Sequence, residues 1–328
     1  MLVGNGMDID DVHAVLAALG EARDAEGCSI EVVVEGGWGV DAKLGRQSRP
    51  HADLDIAVRT RQRAAVTQAL APFGTDVDLH WLDDDDVQTL ADGSRFHYPL
   101  ELADGTIGTH TVRCFSPEVD VLLHWGYPPD AHDRTDMAAL HEATGVSLPY
   151  PFTASSGAAT LARDAGPLDA MAMACVHHET AIVAYTPIGL GDAQRSFTVE
   201  QFWRAWQERI ADPEQWCGVV ETDGAIAGTI HLTPLDGEPG VGDLTSLYLA
   251  PALWGSGCAA LLDTLAFDEA RRRYSSLRLN VLQANERAQR FYVRRGWNPD
   301  GTEHRFELAD REIVTLHYRI DLSRRTGR

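Results

Sequence analysis

Two carboxylates spaced two residues apart, Asp53 and Asp55, follow closely on a glycine pair, Gly36-Gly37, in this 328-residue chain. The combination points to phosphoryl chemistry on a nucleotide. Side chains on a strand repeat every two residues, so within Ala52 to Val58 both aspartates emerge on one face and Leu54 and Ile56 on the other. At about 4 Å and an effective dielectric near 20, such a pair repels by roughly 4 kcal/mol, so it stays ionised only beside a cation. All-oxygen ligation suits magnesium. The glycines follow an apolar run, Ile30 to Val34, and let the backbone approach a ligand where a Cβ would intrude, so that amides beyond the turn can face a phosphate. A lone Gly-Gly is most often a tight turn and a lone DxD a solvated strand edge; their succession after an apolar strand singles out a nucleotide and metal site.

The neighbours carry open alternatives. Arg46 and Arg49 either contact the triphosphate or form a surface ion pair with Asp41 or Glu35. His51 either orients the nucleotide or caps the strand. Asp76 to Trp81 reads as a further strand, and the acidic run Asp83 to Asp86 as a solvated loop that opens a helix.

A second constellation lies far downstream. Leu244 to Leu249 reads as a strand, Pro251 breaks it, and Trp254-Gly255-Ser256-Gly257-Cys258-Ala259 runs into the apolar helix Ala260 to Ala270. Glycines 255 and 257 free backbone amides at a helix N-terminus, where roughly half a positive charge collects and favours a pyrophosphate. The next unit is a strand, Leu277 to Val281, followed by a helix from Asn285 to Gly296; Tyr292 stands about two helical turns beyond Asn285.

The first block resembles the nucleotidyltransferase domain of aminoglycoside and lincosamide nucleotidyltransferases, within the DNA polymerase β superfamily. The likeness rests on GGWGVDAKLGR, on RPHADLD, on the strand Asp76 to Trp81, and on the stretch from Cys114-Phe115-Ser116-Pro117-Glu118 through His124-Trp125-Gly126-Tyr127 to Asp133-Arg134-Thr135-Asp136. It implies that Asp53 and Asp55 hold Mg2+ on the triphosphate of ATP, near Gly36, Gly37 and Arg49. It also implies a third carboxylate that completes the metal site or takes the substrate proton, with Asp78 the best candidate and Asp76 its neighbour.

The second block, roughly residues 158 to 322, resembles the GNAT acyltransferases. That resemblance implies that Leu249, the turn Trp254, Gly255, Ser256, Gly257, Cys258 and Ala259, and Asn285 bind acetyl-CoA, while Tyr292 protonates the departing thiolate. By itself Tyr292 reads equally as a core aromatic beside Phe291 and Trp297. Trp254 departs from the family, whose turn carries a basic or amide residue there. Asp243 is either a base acting through water or a strand-end cap, with Asn280 and Glu238 in reserve. His177-His178 falls near the end of a predicted helix, Leu168 to Glu179, without zinc-ligand spacing, and reads as surface or acceptor-pocket.

Length suggests two domains, 1–152 and 158–328, joined by the small, polar segment 150–158. The expected fold class is α/β (α+β): an N-terminal nucleotidyltransferase fold with a mixed sheet, and a C-terminal fold with a central mixed sheet flanked by helices. Five cysteines without a CxxC, no apolar leader and no run of about 20 apolar residues predict a reduced cytoplasmic protein that neither spans nor binds a membrane.

Of the net charge of −21, residues 1–150 carry −16, from 26 acids against 10 bases. Such a surface disfavours nucleic acid and favours a cationic small molecule of the aminoglycoside kind. The function expected is therefore a bifunctional antibiotic-modifying enzyme that moves AMP to a hydroxyl and acetyl to an amine. The rival is an acetyltransferase of a small-molecule or protein amine whose nucleotidyltransferase-like domain is silent and serves binding or regulation.

Overall fold

The computed structural model describes residues 6–74, 76–152, 160–308 and 311–322. The chain divides into two compact units, Met1–Val146 and Ser147–Arg328. Both are mixed α/β structures. Among the described residues no helix is long and apolar enough to cross a membrane.

The first unit opens with α1 (Ile9–Glu21), capped by the Asp8 side chain and burying Val12, Val15 and Leu19 along one face. There follow β1 (Val32–Val34), α2 (Gly36–Leu44), β2 (Leu54–Arg59), α3 (Arg63–Leu70), β3 (Val77–Leu82), a small hairpin of β4 (Val87–Thr89) and β5 (Arg95–His97), then β6 (Leu102–Ile107), β7 (His110–Phe115), α4 (Pro117–Leu123) and α5 (Ala131–Thr144). Five strands form a mixed sheet in the order β3-β2-β1-β7-β6. Interior strand β2 runs antiparallel to β1 and parallel to β3. Its inner face, with Leu54 and Ile56 fully buried, belongs to the core, which leaves the opposite face for polar side chains. Asp83 to Asp86 opens no helix: it is a turn into β4, and Arg59, Arg61 and Arg95 hold its carboxylates.

The second unit contains β8 (Leu161–Asp164), α6 (Ala170–Tyr185), α7 (Gly191–Arg195), α8 (Val199–Ala211), β9 (Trp216–Thr222), β10 (Ala225–Pro234), β11 (Val241–Leu249), α9 (Cys258–Arg273), β12 (Ser276–Leu282), α10 (Glu286–Arg294), β13 (Asn298–Leu308) and β14 (Arg311–Asp321). Its sheet is ordered β13-β14-β12-β11-β10-β9-β8. Helix α6 runs six residues past the predicted end and is buried on nearly every side from Ala170 to His177, as its apolar sequence demands.

One irregularity opens this sheet. Opposite β10, His231 faces Ser246 and Leu232 faces Leu244, so Thr245 is the extra residue of a β-bulge. Parallel pairing of β11 with β12 runs only from Val241–Ser276 to Leu244–Leu279, and ends where the bulge begins. Beyond it β11 stays with β10 as far as Leu249 while β12 stays with β14 as far as Leu282, so the two strands part into a wedge.

The composition-based linker begins at residue 150, but the chain joins the second unit earlier. The Ser147 amide donates to Leu168 O (3.1 Å) and that of Tyr150 to Ile226 O (2.8 Å). Residues 153–158 of that segment lie outside the described residues.

Candidate active sites

In the first unit the predicted glycine turn is the first turn of α2, entered directly from β1 with Glu35 at the N-cap. Gly36 has φ +59°, and a Cβ there would run into the Asp55 carboxylate; at Gly37 it would strike the His51 ring and the Arg49 guanidinium. The glycines therefore make room for the chain's own polar side chains. Asp53 lies just ahead of β2 and Asp55 within it, on the face opposite Leu54 and Ile56. Asp55 stands in register with Asp78 on the parallel neighbour β3, and strand alternation puts His80 on the same face.

His80 is a site residue the sequence reading missed. Its Nδ1 lies 2.7 Å from Glu35 Oε1, with the Tyr98 hydroxyl 3.2 Å away. Burial opposes charge on this imidazole, but the Glu35 hydrogen bond and the carboxylates of Glu35, Asp55 and Asp78 raise its pKa overall. Asp55 is pushed up to about 6, by burial first, then by Asp53, Glu35 and Asp78, with His80 partly offsetting. More negative charge gathers here than the protein neutralises.

That surplus and an all-oxygen donor set fit Mg2+. Among the described residues no three side chains already ring a metal, so the three-carboxylate cage expected from Asp53, Asp55 and Asp78 is not preassembled. Magnesium is commonly held by one or two carboxylates plus substrate phosphates, which matches Asp53 and Asp55 with Asp78 one strand away.

Ion pairs brace the site from behind. Arg49 takes neither Asp41 nor Glu35 as partner: it grips Asp136 of α5 with two hydrogen bonds of 2.8 and 2.6 Å, which holds its guanidinium over Gly37. Asp41 is occupied by His51, which is buried, packs against Trp38 with tilted rings and centroids 4.8 Å apart, and so props α2 rather than capping a strand. Lys43 reaches Asp120 of α4 at 2.6 Å, both nearly inaccessible. The partners of Arg49 and Lys43 lie 87 and 77 residues away, and no local pattern announces them.

The Asp55 shift carries a stability consequence. A carboxyl raised from 3.8 to about 6 binds its proton more tightly folded than unfolded, so its cost appears as pH rises through that interval and is complete above it. In divalent-free buffer, Asp55→Asn should therefore be more stable than the parent at pH 7.5, by up to about 3 kcal/mol, with the gain fading by pH 4. Thermal melts across pH measure this; a variant less stable at pH 7.5 would mean the carboxylate is already neutralised.

In the second unit the wedge opens into two clefts that share Tyr185, Leu247, Tyr248, Asn285, Ala288 and Tyr292. One, of about 350 Å3, runs along the glycine turn and the starts of α9 and α10. Gly255 and Gly257 have φ of +87° and +97°, and the space a Cβ would fill is open at both. Gly257 caps α9, whose first amides receive no side-chain cap from it. Ser256 Oγ accepts from the Cys258 amide, and the Cys258 side chain turns into the core, while Ala259 faces the cleft. Trp254 Nε1 donates to Leu249 O (2.7 Å), which fixes the turn to the strand end. Arg287 of α10 stacks over the Trp254 ring at 3.2 Å, so the basic group missing from the turn arrives from another element. Arg294 lines the same cleft, and an anionic ligand suits it.

Tyr292 stands at the junction of the clefts, 8% exposed, and burial pushes its phenol upward, so it holds its proton. Asn285 is there too, capping α10 by accepting from the Ala288 amide (3.1 Å). Asp243 lines neither cleft: it sits in the stretch of β11 paired with β12, one residue before the cleft residue Leu244, and accepts from Arg278 at 3.4 Å. The reserve Glu238 pairs with Arg319, whereas Asn280 does line the second cleft. His177 is no surface residue: it lines that cleft, stacked on Tyr248 at 3.9 Å, and burial lowers its pKa to about 3.

Each unit thus presents a glycine turn at the start of a helix, the first beside clustered carboxylates and the second beside two clefts. Residues 12–84 and 81–140 match the family described as aminoglycoside-2''-adenylyltransferase, and residues 183–297 match the acetyltransferase (GNAT) family. The chain thus combines a nucleotidyltransferase region of the antibiotic-resistance type with a GNAT acetyltransferase region. A lincosamide resistance protein of Staphylococcus haemolyticus is 27% identical over 135 residues, 34% of this chain and 84% of that protein. A 2''-aminoglycoside nucleotidyltransferase of Escherichia coli is 26% identical over 148 residues, 40% and 79% respectively. An uncharacterized N-acetyltransferase of Mycobacterium tuberculosis is 36% identical over 97 residues, 29% of this chain and 60% of that protein.

Proposed function

We propose that the chain is a bifunctional transferase whose nucleotidyl acceptor is an antibiotic. Its first site moves AMP from ATP to a hydroxyl of a cationic aminoglycoside or of a lincosamide, and its second moves acetyl from acetyl-CoA to an amine. The observation that carries the first half is the uncompensated carboxylate group of Asp53, Asp55 and Asp78 beside the N-terminus of α2. Asp53 and Asp55 would hold Mg2+, which when bound neutralises charge developing at the α-phosphorus. Asp78 would take the hydroxyl proton as the new O–P bond forms and pyrophosphate departs. Arg49, fixed by Asp136, would face the phosphates, and the acidic first 150 residues would speed encounter with a cation.

At the second site the glycine turn would seat the pyrophosphate of acetyl-CoA on the α9 N-terminus, with Arg287 alongside. The parted strand β11 would align the thioester, and Tyr292 would give its proton to the leaving sulfur. A cytoplasmic location belongs to the proposal, since ATP and acetyl-CoA are met there. Mass spectrometry tests it: an aminoglycoside and lincosamide panel incubated with ATP and Mg2+, with acetyl-CoA, and with both. An adenylylated product is expected in the first arm; nucleotide binding without turnover there would instead mark the first domain as a binding module.

A further inference from the structure

We propose that the acetyl acceptor is a small, carbon-rich amine with a single cationic group, of the arylalkylamine class, and not the polycation that suits the first site. This rests on the reading that the second unit transfers acetyl groups. The acceptor cleft, about 410 Å3, is walled by Tyr185, Phe197, Phe202, Tyr248, Phe306 and Ile313. Phe197 and Phe306 are 44% and 38% exposed, which leaves apolar surface at the cleft open to a ligand.

Among the described residues that line it there is no Asp or Glu. The polar lining is neutral: Gln194, Thr245, Ser246, Asn280 and Thr315. His177, 6% exposed, has a buried Nδ1 without a hydrogen-bond partner and is kept uncharged by burial and by Arg209. Arg209 itself stacks over Trp206 at 4.8 Å, so the fixed charge acting on the cleft's histidine is positive. The bulge residue Thr245 is tied to His231, another imidazole that burial holds neutral.

A polycation would leave water here with no counter-charge for its ammonium groups, a penalty of several kcal/mol for each group fully desolvated. A monoamine escapes it, because the reaction requires the amine to be neutral. The ammonium sheds one proton to solvent, and its lone pair attacks the acetyl carbonyl. The C–N bond forms and the C–S bond breaks. The nitrogen loses a second proton, the thiolate takes one from Tyr292, and Tyr292 is reprotonated from solvent, so amine and acetyl-CoA give amide and free thiol. An aromatic body would meanwhile pack among the ring walls.

The test uses the full-length protein with acetyl-CoA and follows thiol release with phenethylamine, tryptamine, spermidine and kanamycin, while calorimetry measures acetyl-CoA binding. The aryl amines should exceed both polycations in kcat/KM by at least about 100-fold. Phe197→Glu, placing a carboxylate at the exposed wall, should narrow that ratio by about ten-fold. If acetyl-CoA binds and a polycation is the better substrate, or no aryl amine turns over, the substrate class is wrong while the acyl-carrier site stands. If acetyl-CoA does not bind, the acetyltransferase reading itself fails, and this inference with it.

Discussion

Asp53→Asn should lower nucleotidyl transfer by about three orders of magnitude or more and leave acetyl transfer by the same molecule within about two-fold. The large effect follows from the charge balance at β2. Asp53 and Asp55 supply the negative charge that would retain a divalent cation on the triphosphate, and Asn provides neither the charge nor a second anionic oxygen. The fold should tolerate the change, because Asp53 lies at the strand entrance and its charge raises the pKa of Asp55, so its removal relieves repulsion. Both activities should be measured on one preparation, with circular dichroism as the control for folding. Loss of acetyl transfer in a folded variant would overturn the assignment of the reactions to separate units. Retention of a tenth or more of nucleotidyl transfer would remove Asp53 from the metal site.

Tyr292→Phe should lower kcat for acetyl transfer by about 100-fold with little change in acetyl-CoA affinity. General acids contribute about 10²–10⁴-fold, and burial places this one at the lower end. The raised pKa guarantees that Tyr292 carries a proton, but the thiolate it serves has a conjugate acid near the ordinary thiol value of about 8.5, so the transfer runs uphill. Phe retains the ring contacts with Phe291 and Trp297, at 5.4 and 6.0 Å between centroids, so packing should survive. Gly257→Val should do the converse, raising KM for acetyl-CoA by ten-fold or more while kcat falls less. Its φ of +97° is unfavourable for any L side chain, and the new Cβ would project into the space proposed for the pyrophosphate. A Tyr292→Phe enzyme with normal kcat, or one impaired mainly in CoA binding, would make the residue a packing aromatic.

Much of each site could be read from neighbouring residues because short-range geometry settles it. A period of two puts Asp53 and Asp55 on one face of β2 whatever surrounds the strand, and the same period carries Asp78 and His80 on β3. Glycine is the residue that tolerates positive φ, and Gly36, Gly255 and Gly257 all adopt it, Gly36 against the Asp55 carboxylate and the other two beside open space. Asn285 and Tyr292 fall on one side of α10 through helical spacing alone.

What decided the rest was contact between distant segments. Asp243 had the right residue type near the right strand, but direction along β11 puts it at the paired end, beside Arg278, and not in the wedge that the bulge at Thr245 opens. Arg49 turned to Asp136 and Lys43 to Asp120, partners brought from α5 and α4, while Glu35 found His80 across the sheet. The acceptor cleft collects side chains from α6, α8, β11, β12, β13 and β14, so the lack of carboxylates among its described lining residues is invisible in a chain whose net charge is −21. Local sequence determined which faces carry chemistry, because steric period and backbone strain act over a few residues. Tertiary structure determined which charges are neutralised and which side chains line each cleft, because burial and ion pairing depend on segments that meet only after folding.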